Sequence, residues 1–276
     1  MKGHTAALVE KYFRKNKEFP IIWCSGCGNG TIVMSILRSI EKLGIDPDEV
    51  AMVSGIGCSS RTPTYVDFKT LHTAHGRALA FATGLKMASP ELTVIVPMGD
   101  GDAMAIGGNH FFHSCRRNID LTAIIFNNFI YGMTGGQASP TTPEGSWAST
   151  APMGTVEPPF DPAGVAASAG ATYVARTTTA HINQMDRFIT RAIEHKGFSV
   201  VEVMVQCPTY FGRKNLSASP VEMIRNFKER AVPMAKAESM SPEELEGKII
   251  TGELVTKKRQ EFTERYAALQ ERARNG

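Results

Sequence analysis

The two segments LTVIVPMGDG (92–101) and LTAIIFNN (121–128) restrict the fold more than any other part of the chain. Each is an apolar run of strand length that stops at small or polar residues. A helical pattern, GGNHFFHSCRRN (107–118), lies between them. A strand–helix–strand unit of this kind is the crossover of a parallel sheet, and it leaves both strand ends on one rim. The alternation continues on either side. VAMVSG (50–55) reads as a buried strand and GRALAFATGLKMA (76–88) as a helix with small residues for close packing. TYVAR (172–176), a helical pattern over 180–196 and the apolar run FSVVEVMVQC (198–207) complete the unit. The expected fold class is α/β, a doubly wound and mostly parallel sheet with helices on both faces. There is no internal repeat and no low-complexity segment.

Two stretches break this rhythm. Residues 132–162 form a long loop rich in Gly, Pro, Ser and Thr, and loops of that length usually carry function. From about residue 218 the chain turns to charged helical patterns. SPEELEGKII opens there with Ser241 as a candidate N-cap and Pro242 at the first helical position, and Val255, Phe262, Tyr266 and Leu269 follow at helical spacing. The division expected is a main domain over 1–217 and a helical C-terminal arm over 218–276 that packs on a partner.

A chain of 276 residues with 42% apolar and 21% charged residues is of ordinary globular composition. The formal charge of +3 is spread along the sequence and gives no case for nucleic acid or a membrane surface. The N-terminus lacks the long apolar core of a signal peptide, so a cytoplasmic location is expected. A reducing compartment makes a structural disulfide the less favoured use of the five cysteines.

Cys24 and Cys27 lie in IIWCSGCGNG (21–30), followed by TIVMSILRSIEKLG, whose apolar positions 32, 33, 36, 37, 40 and 43 have a helical period ending at Gly44. Glycines at the start of that helix allow main-chain N–H groups to approach an anionic object. Cys58, in GIGCSS, and Cys207, after VMVQ, also follow strand ends. Four thiolates suit a [4Fe–4S] cluster and equally a structural zinc ion. Zinc sites usually combine two short-spaced pairs, and here only one pair is short. Cys115 lies within a helical pattern and reads as core.

On the same rim, Asp100 offers a carboxylate and Asn128 a carbonyl oxygen, hard ligands suited to Mg²⁺ beside a phosphate. Gly99 and Gly101 let the backbone approach a diphosphate. GDG followed about 25 residues later by NN resembles the thiamine diphosphate signature. That resemblance implies Mg²⁺ ligation by Asp100, the Asn128 side chain and the main-chain carbonyl of Ile130.

Six motifs in order, WCSGCGNG, GIGCSSR, HTAHGRA, GDGDAMAIGGNH, NNFIYGMTGGQASPTT and CPTY, are similar to those of the β subunits of 2-oxoacid:ferredoxin oxidoreductases, most of all the 2-oxoglutarate type. The likeness runs from about residue 20 to 215. It implies a thiamine diphosphate-binding domain holding one [4Fe–4S] cluster on Cys24, Cys27, Cys58 and Cys207. It further implies cofactor contacts from Ile56, Gly57, Cys58, Ser59, His75, Gly99, Gly101, Asp102, Asn128, Gly132, Met133 and Thr134. The reaction implied is oxidative decarboxylation of a 2-oxoacid, with coenzyme A taking the acyl group and ferredoxin the electrons. A separate α subunit would supply the glutamate that activates the cofactor, in an αβ pair or its dimer. Ser25 stands where many members have proline, and Gly135 where some broad-specificity members have lysine.

His75 and Arg61 are tentative substrate or cofactor contacts, the first at a helix start and the second after CSS on the rim. His110 and His113 read as packing residues, and Trp147 as an anchor for the long loop. Three functions compete at this stage: the oxidoreductase subunit, acting on 2-oxoglutarate or alternatively on pyruvate or a branched-chain 2-oxoacid; a non-redox thiamine decarboxylase or synthase subunit with structural zinc; and a noncatalytic electron-transfer or assembly subunit.

Overall fold

In the computed structural model, which describes residues 4–17 and 20–275, eight strands form one sheet in the order β2-β1-β3-β4-β8-β7-β10-β9. The inner strands are β1 (Val50–Ser54), β3 (Thr93–Gly99), β4 (Thr122–Asn127), β7 (Tyr173–Thr178) and β8 (Ser199–Met204), with β2 (Lys69–His72) at one edge. All pairings among these are parallel. β1, β4, β7 and β8 are buried along their whole length, as expected when helices cover both faces.

Alternation along each strand builds two cores. Val50, Met52, Ile95, Ile124, Phe126, Val201 and Val203 point to one face and meet Ile36 and Ile40 of the helix Asn29–Leu43, with Phe188 and Ile189 of the helix Ile182–Glu194. Ala51, Val53, Val94, Val96, Ala123, Ile125 and Val200 point to the other face. There they meet Leu79 and Ala82 of the helix Ala78–Ala88, and Phe111 of the helix Gly108–Arg117. Gly44 ends the helix Asn29–Leu43 in the left-handed conformation at φ 64°, where a glycine stop is expected. Cys115 is fully buried in the second core.

The long loop holds a two-residue antiparallel ladder between β5 (Ile130–Tyr131) and β6 (Gln137–Ala138). Its remainder is tied down by side chains. The Trp147 N–H donates to Asn215 Oδ1 at 2.7 Å and Lys214 Nζ sits 5.0 Å over the indole, so Trp147 anchors the loop as read from the sequence.

The tail differs from the expected run of helices. It carries the helices Pro220–Arg230 and Phe262–Asn275, and Ser241 caps Pro242–Leu245 with a reciprocal bond from Glu244. Between them β9 (Ala231–Pro233) and β10 (Ile249–Thr256) extend the main sheet, β10 running antiparallel to β7. Val255 therefore lies in a strand, not on a helix with Phe262, Tyr266 and Leu269. IITGELVT is rich in β-branched residues and pairs with an edge of β7 that would otherwise expose its peptide groups. Among the described residues, no helix is long and apolar enough to cross a membrane.

A buried polar chain locks the sheet below the rim. Glu202 of β8 is fully buried, receives Asn127 Nδ2 at 2.8 Å and pairs with Arg176 Nε of β7 at 2.8 Å. Arg176 also pairs with Asp161. Replacing Glu202 by alanine leaves the buried Arg176 Nε and the buried Asn127 amide without their acceptor, and the guanidinium keeps only Asp161. The expected loss is about 3–5 kcal/mol of folding stability, read as a lowered urea midpoint.

Candidate active site

Because the inner strands are parallel, β1, β3, β4 and β8 end on one rim, and the candidate residues follow those ends. A cleft at this rim is lined by Ile56, Gly57, Cys58 and Ser59 after β1 and by Gly99, Asp100, Gly101 and Asp102 around the end of β3. Asn128, Ile130, Tyr131, Gly132, Met133 and Thr134 line it after β4, and His75 and Asn29 complete the wall. Every residue expected at the cofactor is therefore in one cleft. Asn29, Phe126 and Tyr131 were not foreseen. Tyr131 lies within the motif NNFIYGMTGG, but nothing in its spacing marks it as different from core.

Asp100 sits at the start of a short helix, Asp100–Met104, directly after β3, with only 2% of its surface exposed. Its Oδ2 accepts hydrogen bonds from Ser139 Oγ at 2.5 Å and Thr141 Oγ1 at 2.7 Å, both from the long loop. Burial pushes its carboxyl above the usual range, opposed by those hydroxyls and by backbone N–H groups. A cation on this carboxylate would offset its desolvation. Asn127 is structural: its amide donates to Glu202, and its Oδ1 accepts from Thr141 Oγ1 at 2.9 Å and from Phe129 N at 3.2 Å. Phe129 has φ 66°, a left-handed turn rare outside glycine, and it reverses the chain so that Ile130 N donates to Asn128 Oδ1 at 3.2 Å. Asn128 and Ile130 thus share the cleft with Asp100.

The glycines here are dictated by close approach. A Cβ on Gly101 would lie 2.1 Å from Tyr131 Cε1, and one on Gly55 would lie 2.5 Å from both oxygens of Asp102. Ser59 Oγ lines the cleft, is buried and has no partner, which leaves a hydroxyl ready for an anionic oxygen. A buried carboxylate, amide and carbonyl oxygens, a free hydroxyl and glycine-lined backbone fit a diphosphate with a hard divalent ion.

The four expected cysteines converge beside this cleft. Burial pushes the thiol of Cys27 up to about 12 and that of Cys58 up to about 11, and it raises Cys207 as well. Cys207 and Cys24 act on Cys27 and Cys58 through charge, and Asp100 acts on Cys207 in the same way. The sulfurs thus face a common space next to the carboxylate. The Asn29 N–H at the helix start bonds Cys27, and the N–H groups of Tyr210 and Phe211 bond Cys207. Trp23 Nε1 donates to the Cys58 carbonyl at 2.7 Å and joins two of the cysteine loops. This donor set, with the thiols of Cys27, Cys58 and Cys207 raised by burial, fits a group whose positive charge would replace the protons. Among the described residues, no three His, Cys, Asp or Glu side chains stand close enough to hold a single metal ion.

The glycines of IIWCSGCGNG also serve close packing. The amides reaching sulfur belong to helix starts, whereas Gly26 and Gly28 make room for neighbours. A Cβ on Gly26 would lie 2.1 Å from Pro220 Cγ, and one on Gly28 would lie 2.4 Å from Gln206 Oε1. The Gly28 N–H donates to the Gln206 carbonyl at 3.3 Å, so the loop of Cys24 and Cys27 rests on the segment that delivers Cys207.

Arg61 does not line the cleft. Its exposed guanidinium acts instead on Cys58 and His72, because Ser59–Arg61 forms a turn that carries residue 61 away from the strand end. Arg77 is tied to the Ile106 carbonyl at 2.9 Å. Thr134 lines the cleft, and its hydroxyl donates to Gln137 Oε1 at 2.6 Å. Ser139 and Thr141 were missed as partners of Asp100, although ASPTT lies in the motif that starts at NN.

The rim, its diphosphate-type pocket and the doubly wound sheet define a thiamine diphosphate-binding protein. Residues 55–203 match the family described as thiamine pyrophosphate enzyme, C-terminal TPP binding domain. The chain is 54% identical to the 2-oxoglutarate synthase subunit KorB of Methanothermobacter thermautotrophicus over 94% of its own length and 90% of the relative's. It is equally 54% identical to KorB of Methanocaldococcus jannaschii, over 96% of this chain and 98% of the other. A solved structure, 2-oxoglutarate:ferredoxin oxidoreductase from Magnetococcus marinus with 2-oxoglutarate, coenzyme A and succinyl-CoA bound, superposes with a TM-score of 0.86 at 36% identity. That likeness covers 96% of this chain and 90% of the other. The chain belongs to the KorB family of β subunits of 2-oxoglutarate:ferredoxin oxidoreductases.

Two outcomes follow from the thiol environments. In the folded, metal-free chain at pH 8, iodoacetamide modifies exposed Cys24 and spares buried Cys115, whose thiol is pushed up to about 12; peptide mass mapping reads the difference. Cys27 and Cys115 keep their protons to about 12 when folded but release them near the ordinary 9.0 when unfolded. Between those values the folded state binds more protons, so the metal-free chain loses stability as pH rises from 9 toward 12, measured by thermal melts.

Proposed function

We propose that this chain is the thiamine diphosphate-binding β subunit of a 2-oxoglutarate:ferredoxin oxidoreductase. The reaction converts a 2-oxoacid and coenzyme A to acyl-CoA and CO₂ and reduces ferredoxin, or runs in reverse. The observation that carries this reading is the meeting of two donor sets on one rim: the Asp100, Asn128 and Ile130 oxygens and the four thiols of Cys24, Cys27, Cys58 and Cys207. A non-redox decarboxylase needs no cluster and would use the second set only to hold a structural zinc ion.

Bound thiamine diphosphate supplies the carbon nucleophile that makes loss of CO₂ from a 2-oxoacid feasible. Asp100, Asn128 and the Ile130 carbonyl hold Mg²⁺ against the diphosphate, and Ser59 Oγ donates to an anionic oxygen. Cys24, Cys27, Cys58 and Cys207 would hold a [4Fe–4S] cluster as thiolates and so supply a one-electron acceptor. Cys24 is the exposed member of the four, which sets the side from which an electron carrier approaches. The activating glutamate comes from an α subunit, in an αβ pair or its dimer. The helix Phe262–Asn275 buries none of its residues and leaves Tyr266 and Leu269 exposed, as suits a contact with another subunit.

Metal and acid-labile sulfide analysis of the complex purified without oxygen tests the reading. The expected result is iron and sulfide in equal amounts at four per β chain. Zinc without sulfide would overturn the oxidoreductase assignment in favour of a non-redox subunit. Cys58→Ala is expected to abolish the cluster absorption, and Asp100→Ala to weaken thiamine diphosphate binding at least ten-fold. Turnover with ferredoxin across 2-oxoglutarate, pyruvate and branched-chain 2-oxoacids identifies the substrate, 2-oxoglutarate being the one expected.

A further inference from the structure

His75 and Asp102 form a pair whose geometry has a consequence for acyl transfer to coenzyme A. His75 Nδ1 lies 2.6 Å from Asp102 Oδ1, and the Asp102 side chain is 1% exposed against 33% for His75. The same oxygen accepts the Gly76 N–H at 2.7 Å and faces the Ile56 N–H at 3.4 Å. Gly55 packs directly on this carboxylate, and Gly76 and Gly107 let the two adjoining turns meet beside it. A Cβ on Gly55 would lie 2.5 Å from its oxygens, one on Gly107 would lie 2.1 Å from the Asp102 carbonyl, and one on Gly76 would strike Gly107 N at 2.6 Å. The carboxylate is thus clamped, and Asp102 Oδ2 is buried with no partner. With the Asp102 carboxylate as acceptor, Nδ1 is the donor of this bond, and Nε2 is the ring nitrogen left outside it on a residue that lines the cleft.

We propose that His75 is the base that takes the thiol proton of coenzyme A, and that Asp102 is the residue positioning it. This rests on the proposed reaction. The thiolate, not the thiol, is the nucleophile toward an acyl carbon. The S–H bond breaks, the Nε2–H bond forms, the electron pair stays on sulfur, and the imidazolium rests against the Asp102 carboxylate. The exposed third of the ring then returns the proton to solvent.

The other titratable side chains lining the cleft do not serve. Asp100 is buried and held by two hydroxyls, and Asp102 is closed in by glycines. Cys58 is taken up by the cluster of the proposed reaction, and burial pushes the Tyr131 hydroxyl up to about 12, so neither offers a free basic site near neutrality. Around His75 itself stand Asp102, the Tyr131 ring at 6.0 Å and, two residues along the turn, Arg77, whose guanidinium is engaged with the carbonyl of Ile106.

The test uses the assembled complex with 2-oxoglutarate, coenzyme A and ferredoxin. His75→Gln is expected to lower the rate of acyl-CoA formation at least ten-fold at pH 7. At pH 9 the rate should recover to within about three-fold of wild type, because an ordinary thiol of pKa about 8.5 is then mostly ionised. Calorimetric affinity for coenzyme A should stay within two-fold. Asp102→Asn, which mispositions the imidazole, should show the same pH-dependent recovery, and Asp102→Glu should restore part of the rate at pH 7. A deficit that persists unchanged at pH 9, or that matches a loss of coenzyme A affinity, would overturn the proposal and leave the pair a structural one. A wild-type complex that forms no thioester would instead overturn the reaction on which the proposal rests.

Discussion

Burial of the Asp100 carboxylate at the end of β3 sets the conditions for the rest of the rim. A desolvated carboxylate needs donors, and the sheet itself offers only backbone amides. Ser139 and Thr141 supply hydroxyls from the long loop, which must therefore fold down over the strand ends. Thr141 in turn bonds Asn127, whose amide is held by Glu202, itself paired with Arg176. One charge at the site is thus connected through four further polar side chains to the interior of the sheet. The network satisfies Asp100 as an acceptor, and a divalent ion on the carboxylate would offset what remains of its desolvation.

The same rim accounts for the thiols. Two strand ends and one helix start deliver Cys58, Cys207 and the Cys24–Cys27 loop to a space that also feels Asp100. A parallel sheet makes this convergence cheap in sequence terms, since loops far apart in the chain leave neighbouring strands in the same direction. The loops need only a few residues of special shape: Gly28 where the backbone meets Gln206, Phe129 in its left-handed turn, and Trp23 bridging to Cys58. Burial raises the thiols of Cys27, Cys58 and Cys207, so a group of opposite charge at this place would offset the cost of their ionisation.

Much of this was legible in the chain. Apolar runs of strand length alternating with helical periods marked β1, β3, β4, β7 and β8 and their helices, because each strand is buried on both faces and each helix on one. The tail was less legible. IITGELVT has only a short β-rich pattern between charged segments, and its strand exists through pairing with β7, a partner distant in sequence. Arg61 failed for a local reason, as a single turn after Cys58 carries it off the cleft. Ser139 and Thr141 looked like ordinary loop residues, since a hydroxyl in a Ser/Thr-rich loop carries no mark of the carboxylate that it will meet.

The sequence alone determined which chemical groups are available and on which rim they emerge: a strand's end is a local property, and parallel order follows from the alternation of elements. Tertiary structure decided which of those groups face one another. His75 and Arg61 are both polar residues just past strand ends, yet only His75 reaches the cleft, where a clamped carboxylate holds its ring. Orientation of that kind depends on contacts between segments separated by tens of residues, and these are set by packing, which no local pattern encodes.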